Sequence, residues 1–204
     1  MPILVVATRN KGKLAEIKRI LGVNSNTGED LIIKSVGEFD LPDVEETGET
    51  FEANAILKAE TIARATGHVA LADDSGLSVD ALGGAPGVYS ARYAGEHGDD
   101  AANIEKLLLE MRDLTGSGRN AKFVAVLAVV KPDGAALIAR GELAGSIAFA
   151  RSGEFGFGYD PIFKPEGSDR TLGEFTPVEK DAISHRAIAL REIAPKIPVF
   201  LAGS

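Results

Sequence analysis

Cysteine is absent from the chain, which excludes a disulfide framework, a thiolate zinc site and a cysteine nucleophile. Long apolar runs are absent as well. The longest, residues 123–130, falls far short of the roughly 20 residues that a membrane helix needs. Residues 3–7 are apolar but lack a basic leader and a small-residue cleavage site, so they read as a strand and not as a signal peptide. Basic residues are outnumbered, 22 against 30 acidic, for a formal net charge of −8. That balance argues against duplex nucleic acid as a partner, since such binding draws most of its affinity from cations meeting phosphates. It leaves room for a small polyanion, because clustered lysines or a metal ion held by carboxylates reverse the local sign. A soluble, cytoplasmic protein with no membrane and no nucleic-acid partner is expected.

What is present is an ordinary globular composition, 45% hydrophobic and 25% charged over 204 residues, enough to bury roughly 70% of the surface that the unfolded chain exposes. No internal repeat or low-complexity linker divides it, so residues 1–204 read as a single domain, with two lobes around a cleft. Residues 2–7 read as a buried strand, and Leu14, Ile17, Ile20 and Leu21 then recur at helical spacing. Residues 22–30 read as a polar loop and 31–36 as a second strand. Residues 51–66 contain no glycine or proline and predict a helix ended by Gly67. Residues 68–73 and 77–81 read as two strands around an Asp-Asp-Ser-Gly turn, and 101–114 as a helix closed by Gly116 and Gly118. Two β-rich runs, 121–131 and 135–150, are joined by Lys131-Pro132-Asp133-Gly134, a hairpin turn. Thr176-Pro177-Val178-Glu179 matches a capping box, opening a helical segment that ends near Pro195. Interleaved strands and helices with one hairpin predict an α/β fold built on a mixed sheet.

Several stretches can carry chemistry. Thr8-Arg9-Asn10-Lys11-Gly12-Lys13 places two lysines and a glycine where a strand hands over to a helix, and a helix N-terminus is a ready anion site. The same six residues also admit Asn10 as a plain helix cap among solvated lysines. Asp73 and Asp74 follow an apolar run; as neighbours on an extended chain they point to opposite faces, or else both cap a turn. Glu45 and Glu46 supply a second acidic source, and magnesium is typically held by one or two carboxylates plus substrate phosphates. Asn54 and Lys58, four apart, share a helix face. Arg92 either meets a phosphate from the loop after Gly83-Gly84-Ala85-Pro86-Gly87 or pairs with a surface acid above packed tyrosines. Phe157, flanked by glycines, can stack on a nucleobase, or it packs with Tyr159, Ile162 and Phe163; Asp160, before Pro161, is expected in extended geometry. Lys180 and His185 would lie about 140° apart on one continuous helix and reach a common pocket only from two sides, or if the helix breaks near Ser184.

Taken together, residues 8–13, 45–59, 72–96, 157–163 and 179–187 resemble, in order, the inosine triphosphate pyrophosphatase family, which hydrolyses deaminated purine nucleoside triphosphates. The resemblance spans nearly the whole chain, and the block Ala72 to Glu96 is its most specific part. It implies a long mixed β-sheet flanked by helices, in two lobes with the active site between them, and a homodimer. It implies that Thr8, Arg9, Asn10, Lys11, Gly12 and Lys13 hold the triphosphate, assisted by Lys58. Asp74 would be the general base and a ligand of Mg2+, with Glu45 or Glu46 completing the acidic site. Ser75 would contact substrate, and Phe157, Gly158, Tyr159, Asp160, Lys180, His185 and Arg186 would surround the nucleoside.

The expected activity is therefore magnesium-dependent hydrolysis of inosine, deoxyinosine and xanthosine triphosphates to the monophosphate and pyrophosphate. A donor such as Arg186 or a backbone amide facing purine position 6 would favour an oxygen there over the amino group of adenine. Two other readings are a related pyrophosphatase for other modified or pyrimidine nucleotides, and a nucleotide-binding module without turnover. The four carboxylates speak against the second of these.

Overall fold

The computed structural model describes residues 3–24 and 31–202. Its six strands form one mixed sheet in the order β2-β1-β3-β4-β5-β6. They are β1 (Ile3–Val6), β2 (Ile32–Ser35), β3 (Val69–Val79), β4 (Asn120–Val130), β5 (Ala136–Ile147) and β6 (Phe163–Pro165). β1 runs parallel to both β2 and β3, with Leu4 opposite Ile32's neighbour Ile33 on one side and Val69 on the other, whereas β5 and β6 are antiparallel. The helices are α1 (Lys11–Asn24), α2 (Phe51–Thr66), α3 (Asp100–Glu110), α4 (Pro177–Ile183), α5 (His185–Ile193) and α6 (Ile197–Ala202). The α/β class with a mixed sheet is as expected from the sequence.

The chain divides into two compact units, one of Met1–Asp74, Ala125–Gly141 and Arg186–Ser204, the other of Ser75–Val124 and Glu142–His185. In the first unit, period-two alternation sorts side chains to two faces of the sheet. Leu4, Val6 and Leu71 pack with Ile17, Ile20 and Leu21 of α1 and with Leu190 and Ile193 of α5. Val5 and Ala70 instead pack with Ile62 and Ala63 of α2, and Ala72 with Ala55 and Ala59 of the same helix. This alternation decides where the next two residues of β3 point. The second unit has its own core of Leu77, Ile104, Leu107, Phe123, Ile147 and Phe163.

The helix α2 begins and ends where its sequence says it should. Thr50 is the N-cap, its hydroxyl accepting the Ala53 N–H at 3.1 Å, and Gly67 takes the left-handed φ of +68° that closes the last turn. Thr50→Ala is expected to lower stability by about 1 kcal/mol, read from the denaturant midpoint; an unchanged midpoint would contradict the cap.

Five local expectations are corrected. Asp73-Asp74-Ser75-Gly76 is no turn: β3 runs unbroken through it, because the buried carboxylates find cationic partners and leave the backbone free to pair in the sheet. The 101–114 helix starts at Asp100 and ends at Glu110, with a separate 3-10 turn at Gly116–Arg119. The helical segment opened by Thr176 is not continuous: it breaks at Ser184, whose ψ of 150° is extended, and resumes as α5, which does end near Pro195, at Ile193; a 3-10 turn at Ala194–Lys196 and then α6 follow. Asp160 opens a 3-10 turn instead of an extended run. Of the loop expected over 22–30, residues 22–24 belong to α1 and 25–30 lie outside the described residues.

Candidate active site

Because β3 is continuous, Asp73 shares the face of Leu71, towards α1 and α5, and Asp74 the face of Ala70 and Ala72, towards α2. Each carboxylate then meets a different set of cations. Asp73 Oδ2 lies 2.6 Å from Lys13 Nζ, and its Oδ1 accepts from Arg186 Nε at 3.1 Å. Arg186 Nη1 in turn donates to Glu16 Oε2 at 2.6 Å, with both side chains within 2% of complete burial. Burial alone would push the Asp73 carboxyl up; the Arg186 guanidinium and the Lys13 ammonium overcome it and hold Asp73 far below the usual carboxylate range.

On the α2 face the centre is Lys58. Its Nζ lies 2.7 Å from Glu46 Oε1, 2.8 Å from the Asp73 carbonyl oxygen and 3.4 Å from Asp74 Oδ1. Burial pushes the Asp74 carboxyl above its ordinary value; Lys58 opposes that shift and Glu46 adds to it. Burial would lower Lys58, yet Asp74 and Glu46 outweigh it and the ammonium is held above its ordinary value. Two carboxylates thus flank one ammonium in a largely water-excluded spot. Their hard oxygen donors suit a hard divalent cation that takes its remaining ligands from phosphates and water. Among the described residues no group of three or more His, Asp or Glu side chains is arranged to hold a metal alone. The residues that fit such an ion are Glu46 and Asp74. Glu45 is exposed.

The 8–13 stretch folds as an N-terminal cap. Asn10 Oδ1 accepts the Lys13 N–H at 3.0 Å, and the Thr8 hydroxyl accepts the Asn10 N–H at 3.2 Å. Lys11 and Gly12 open the helix, so their N–H groups belong to its unpaired first turn. Arg9 turns elsewhere: its guanidinium bonds Asp43 Oδ1 and the Leu41 carbonyl, both at 2.5 Å.

The second unit holds another group of the expected residues. Asp160, 1% exposed, accepts from Lys180 Nζ at 2.5 Å and from the Phe157 N–H at 2.9 Å through the same Oδ2. The Lys180 ammonium also sits 4.4 Å from the centre of the Phe157 ring. Gly158 donates its N–H to Asp100 Oδ2 at 2.7 Å, and the Tyr159 hydroxyl donates to the Ser90 carbonyl at 2.9 Å. Phe157 is half-buried, while Tyr159, Ile162 and Phe163 are core. His185 stacks on Phe123, centroids 4.7 Å apart and planes at 9°. Ser75 is half-buried at the point where β3 passes from one unit to the other. Tyr89 is exposed, and Arg92 lies over it at 5.3 Å.

Sequence reasoning missed Glu16 as a member of these networks, and gave Asp73 no partner. Glu16 carried a usable signal, a charge set between the apolar positions Leu14, Ile17 and Ile20 of an amphipathic helix. It also placed Arg186 at the nucleoside, whereas the guanidinium is bound by Asp73 and Glu16.

Residues 4–196 match the model of the Ham1 family. A dITP/XTP pyrophosphatase of Streptomyces avermitilis is 48% identical over 194 residues, covering 95% of this chain and 96% of the relative. One of the same description from Bacillus subtilis is 49% identical over 191 residues, covering 93% and 94%. The solved structure of a HAM1 protein from Coxiella burnetii is similar with a TM-score of 0.86 at 43% identity, over 97% of this chain and 98% of that one. The chain belongs to the Ham1 family.

Proposed function

We propose that the chain hydrolyses inosine, deoxyinosine and xanthosine triphosphates to the monophosphate and pyrophosphate, with Asp74 as general base. The observation that carries this reading is the convergence of Glu46 and Asp74 on Lys58 at 2.7 and 3.4 Å. A pure binding site for a polyanion gains nothing from two partly buried carboxylates; a site that must activate water and hold a cation needs them. The names of the relatives, dITP/XTP pyrophosphatases, support the substrate class.

A water oxygen attacks the α-phosphorus, the bond from that phosphorus to the α,β-bridging oxygen breaks, and pyrophosphate leaves. Asp74 takes the proton of the attacking water, a role favoured by burial raising its affinity for a proton. Lys13, Lys58 and the first N–H groups of α1 face the phosphate oxygens, with Thr8, Asn10, Lys11 and Gly12 shaping that helix start. Glu46 and Asp74 would hold Mg2+, which when bound offsets phosphate charge. Phe157 stacks on the purine, and Gly158, Tyr159 and Asp160 keep it in place, with Lys180, His185 and Ser75 as further contacts. Arg186 donates to Asp73 and Glu16, which favours a backbone amide over that guanidinium as the donor to purine oxygen 6. Residues 1–204 act as one catalytic domain, in a cytoplasmic homodimer as the family resemblance implies.

Hydrolysis of inosine triphosphate in 18O-labelled water tests the bond broken. One labelled oxygen is expected in the monophosphate and none in pyrophosphate; orthophosphate as the first product would overturn the proposal.

A further inference from the structure

Asn54 has no part in the scheme above, yet its surroundings assign it one. It is completely buried on α2, one turn before Lys58. Its side-chain Oδ1 accepts the N–H of Gly48 at 2.7 Å. Gly48 is there because nothing larger fits: a Cβ would lie 2.6 Å from Asn54 Oδ1 and 2.9 Å from Ala53 Cβ. Its φ is not in the left-handed region, so close approach and not backbone freedom demands the glycine. The other end of the amide, Nδ2, is buried with no hydrogen-bond partner among the described residues. An amide half satisfied in this way adds little to folding, which directs attention to what its satisfied half holds.

What it holds is the segment that carries Glu46. Residues 40–50 have no helix or strand, and Glu46 is a partly buried carboxylate within them. The ion pair with Lys58 orients that carboxylate but does not by itself fix the backbone that carries it. The segment is tied at its start by Arg9, through Leu41 and Asp43, and by the packing of Leu41 and Val44. Beyond Glu46 the first tie is the Gly48 to Asn54 bond, ahead of the Thr50 cap that opens α2. α2 therefore carries both Lys58 and the clamp that sets the height of Glu46 against it.

We propose that Asn54 is a positioning residue: through Gly48 it holds the 45–48 segment so that Glu46 faces Asp74, ready for a divalent cation without reordering of the loop. The inference rests on the reading that Glu46 and Asp74 hold that cation. Outer partners of metal-holding side chains typically change metal affinity by about 10- to 100-fold when removed, and that is the size of effect expected here.

The test uses two variants that break the contact from its two sides, Asn54→Ala and Gly48→Ala. In the metal-free protein, both are expected to speed amide hydrogen exchange across residues 44–49 while leaving the second half of α2 unchanged. Manganese, followed by electron paramagnetic resonance in the presence of an α,β-methylene inosine triphosphate analogue, is expected to bind about 10- to 100-fold more weakly. The magnesium concentration for half-maximal pyrophosphate release rises equally, while KM for nucleotide at saturating magnesium stays nearly constant. The double variant should be little worse than either single one, since both remove one contact. Unchanged exchange and unchanged manganese binding in either variant would overturn the proposal, as would a rise in nucleotide KM at constant metal dependence. If the unmodified protein releases no pyrophosphate, the functional reading fails, but exchange and manganese binding still decide the role of Asn54.

Discussion

Asp74→Asn is expected to lower turnover at least about 1,000-fold while nucleotide binding is largely kept. Two losses combine: a positioned general base contributes about 10²- to 10⁴-fold, and weakening one side chain that holds the metal costs more. The amide keeps the shape and one oxygen, so the burial of Asp74 against α2 is preserved. It cannot take a proton from water, and it removes the charge that helps hold the Lys58 ammonium. Pyrophosphate release and equilibrium nucleotide binding, measured on the same preparation, separate the two effects. Turnover equal to that of the unmodified protein would remove Asp74 from the reaction.

Asp73→Asn acts on stability. The carboxylate is buried between Lys13 and Arg186, and Glu16 completes the group from the far side. Removing one partner of such a network leaves buried charge uncompensated, at a cost of about 3–5 kcal/mol. At 2–4 °C per kcal/mol for a chain of this size, Tm should fall by roughly 6–20 °C. Replacing Glu16, Asp73 and Arg186 together by apolar residues should cost much less than the single change, because the desolvated charges go with it. The pH dependence has a definite sign. The Asp73 carboxyl titrates lower in the folded protein than in the unfolded chain. Its stabilisation is therefore complete above about pH 4 and lost as pH falls towards the folded value. Loss of stability between pH 4 and 2 should be shallower in Asp73→Asn, and an equal slope in both proteins would contradict the assignment.

Where local chemistry dominates, the sequence was a sufficient guide. Phe51 to Thr66 has no breaker inside and a threonine and a glycine at its ends, and α2 has those bounds. The Thr176 capping box is present, with the Glu179 carboxylate accepting the Thr176 N–H at 2.7 Å. Where distant parts of the chain decide, it was not. Asp-Asp-Ser-Gly carries turn-forming residues, yet lies inside a strand, because α1, α2 and α5 bring cations to both carboxylates and β1 and β4 flank the strand. The opposed directions of Asp73 and Asp74 followed from extended geometry alone, but which cations they meet depends on helices up to 113 residues away. Nothing local separates Glu45 from Glu46; the difference arises from the register at which Gly48 is pinned to Asn54. Arg186 reads as a ligand contact beside Lys180 and His185, yet its guanidinium donates to Asp73 and Glu16, which the sequence places 113 and 170 residues away.

The most direct test of the central claim is pyrophosphate release from inosine, xanthosine, guanosine and adenosine triphosphates, each with magnesium and with excess chelator. Fast release from the first two, abolished by chelator and absent with adenosine triphosphate, is the predicted result. Release from all four alike, release untouched by chelator, or no release at all would contradict it.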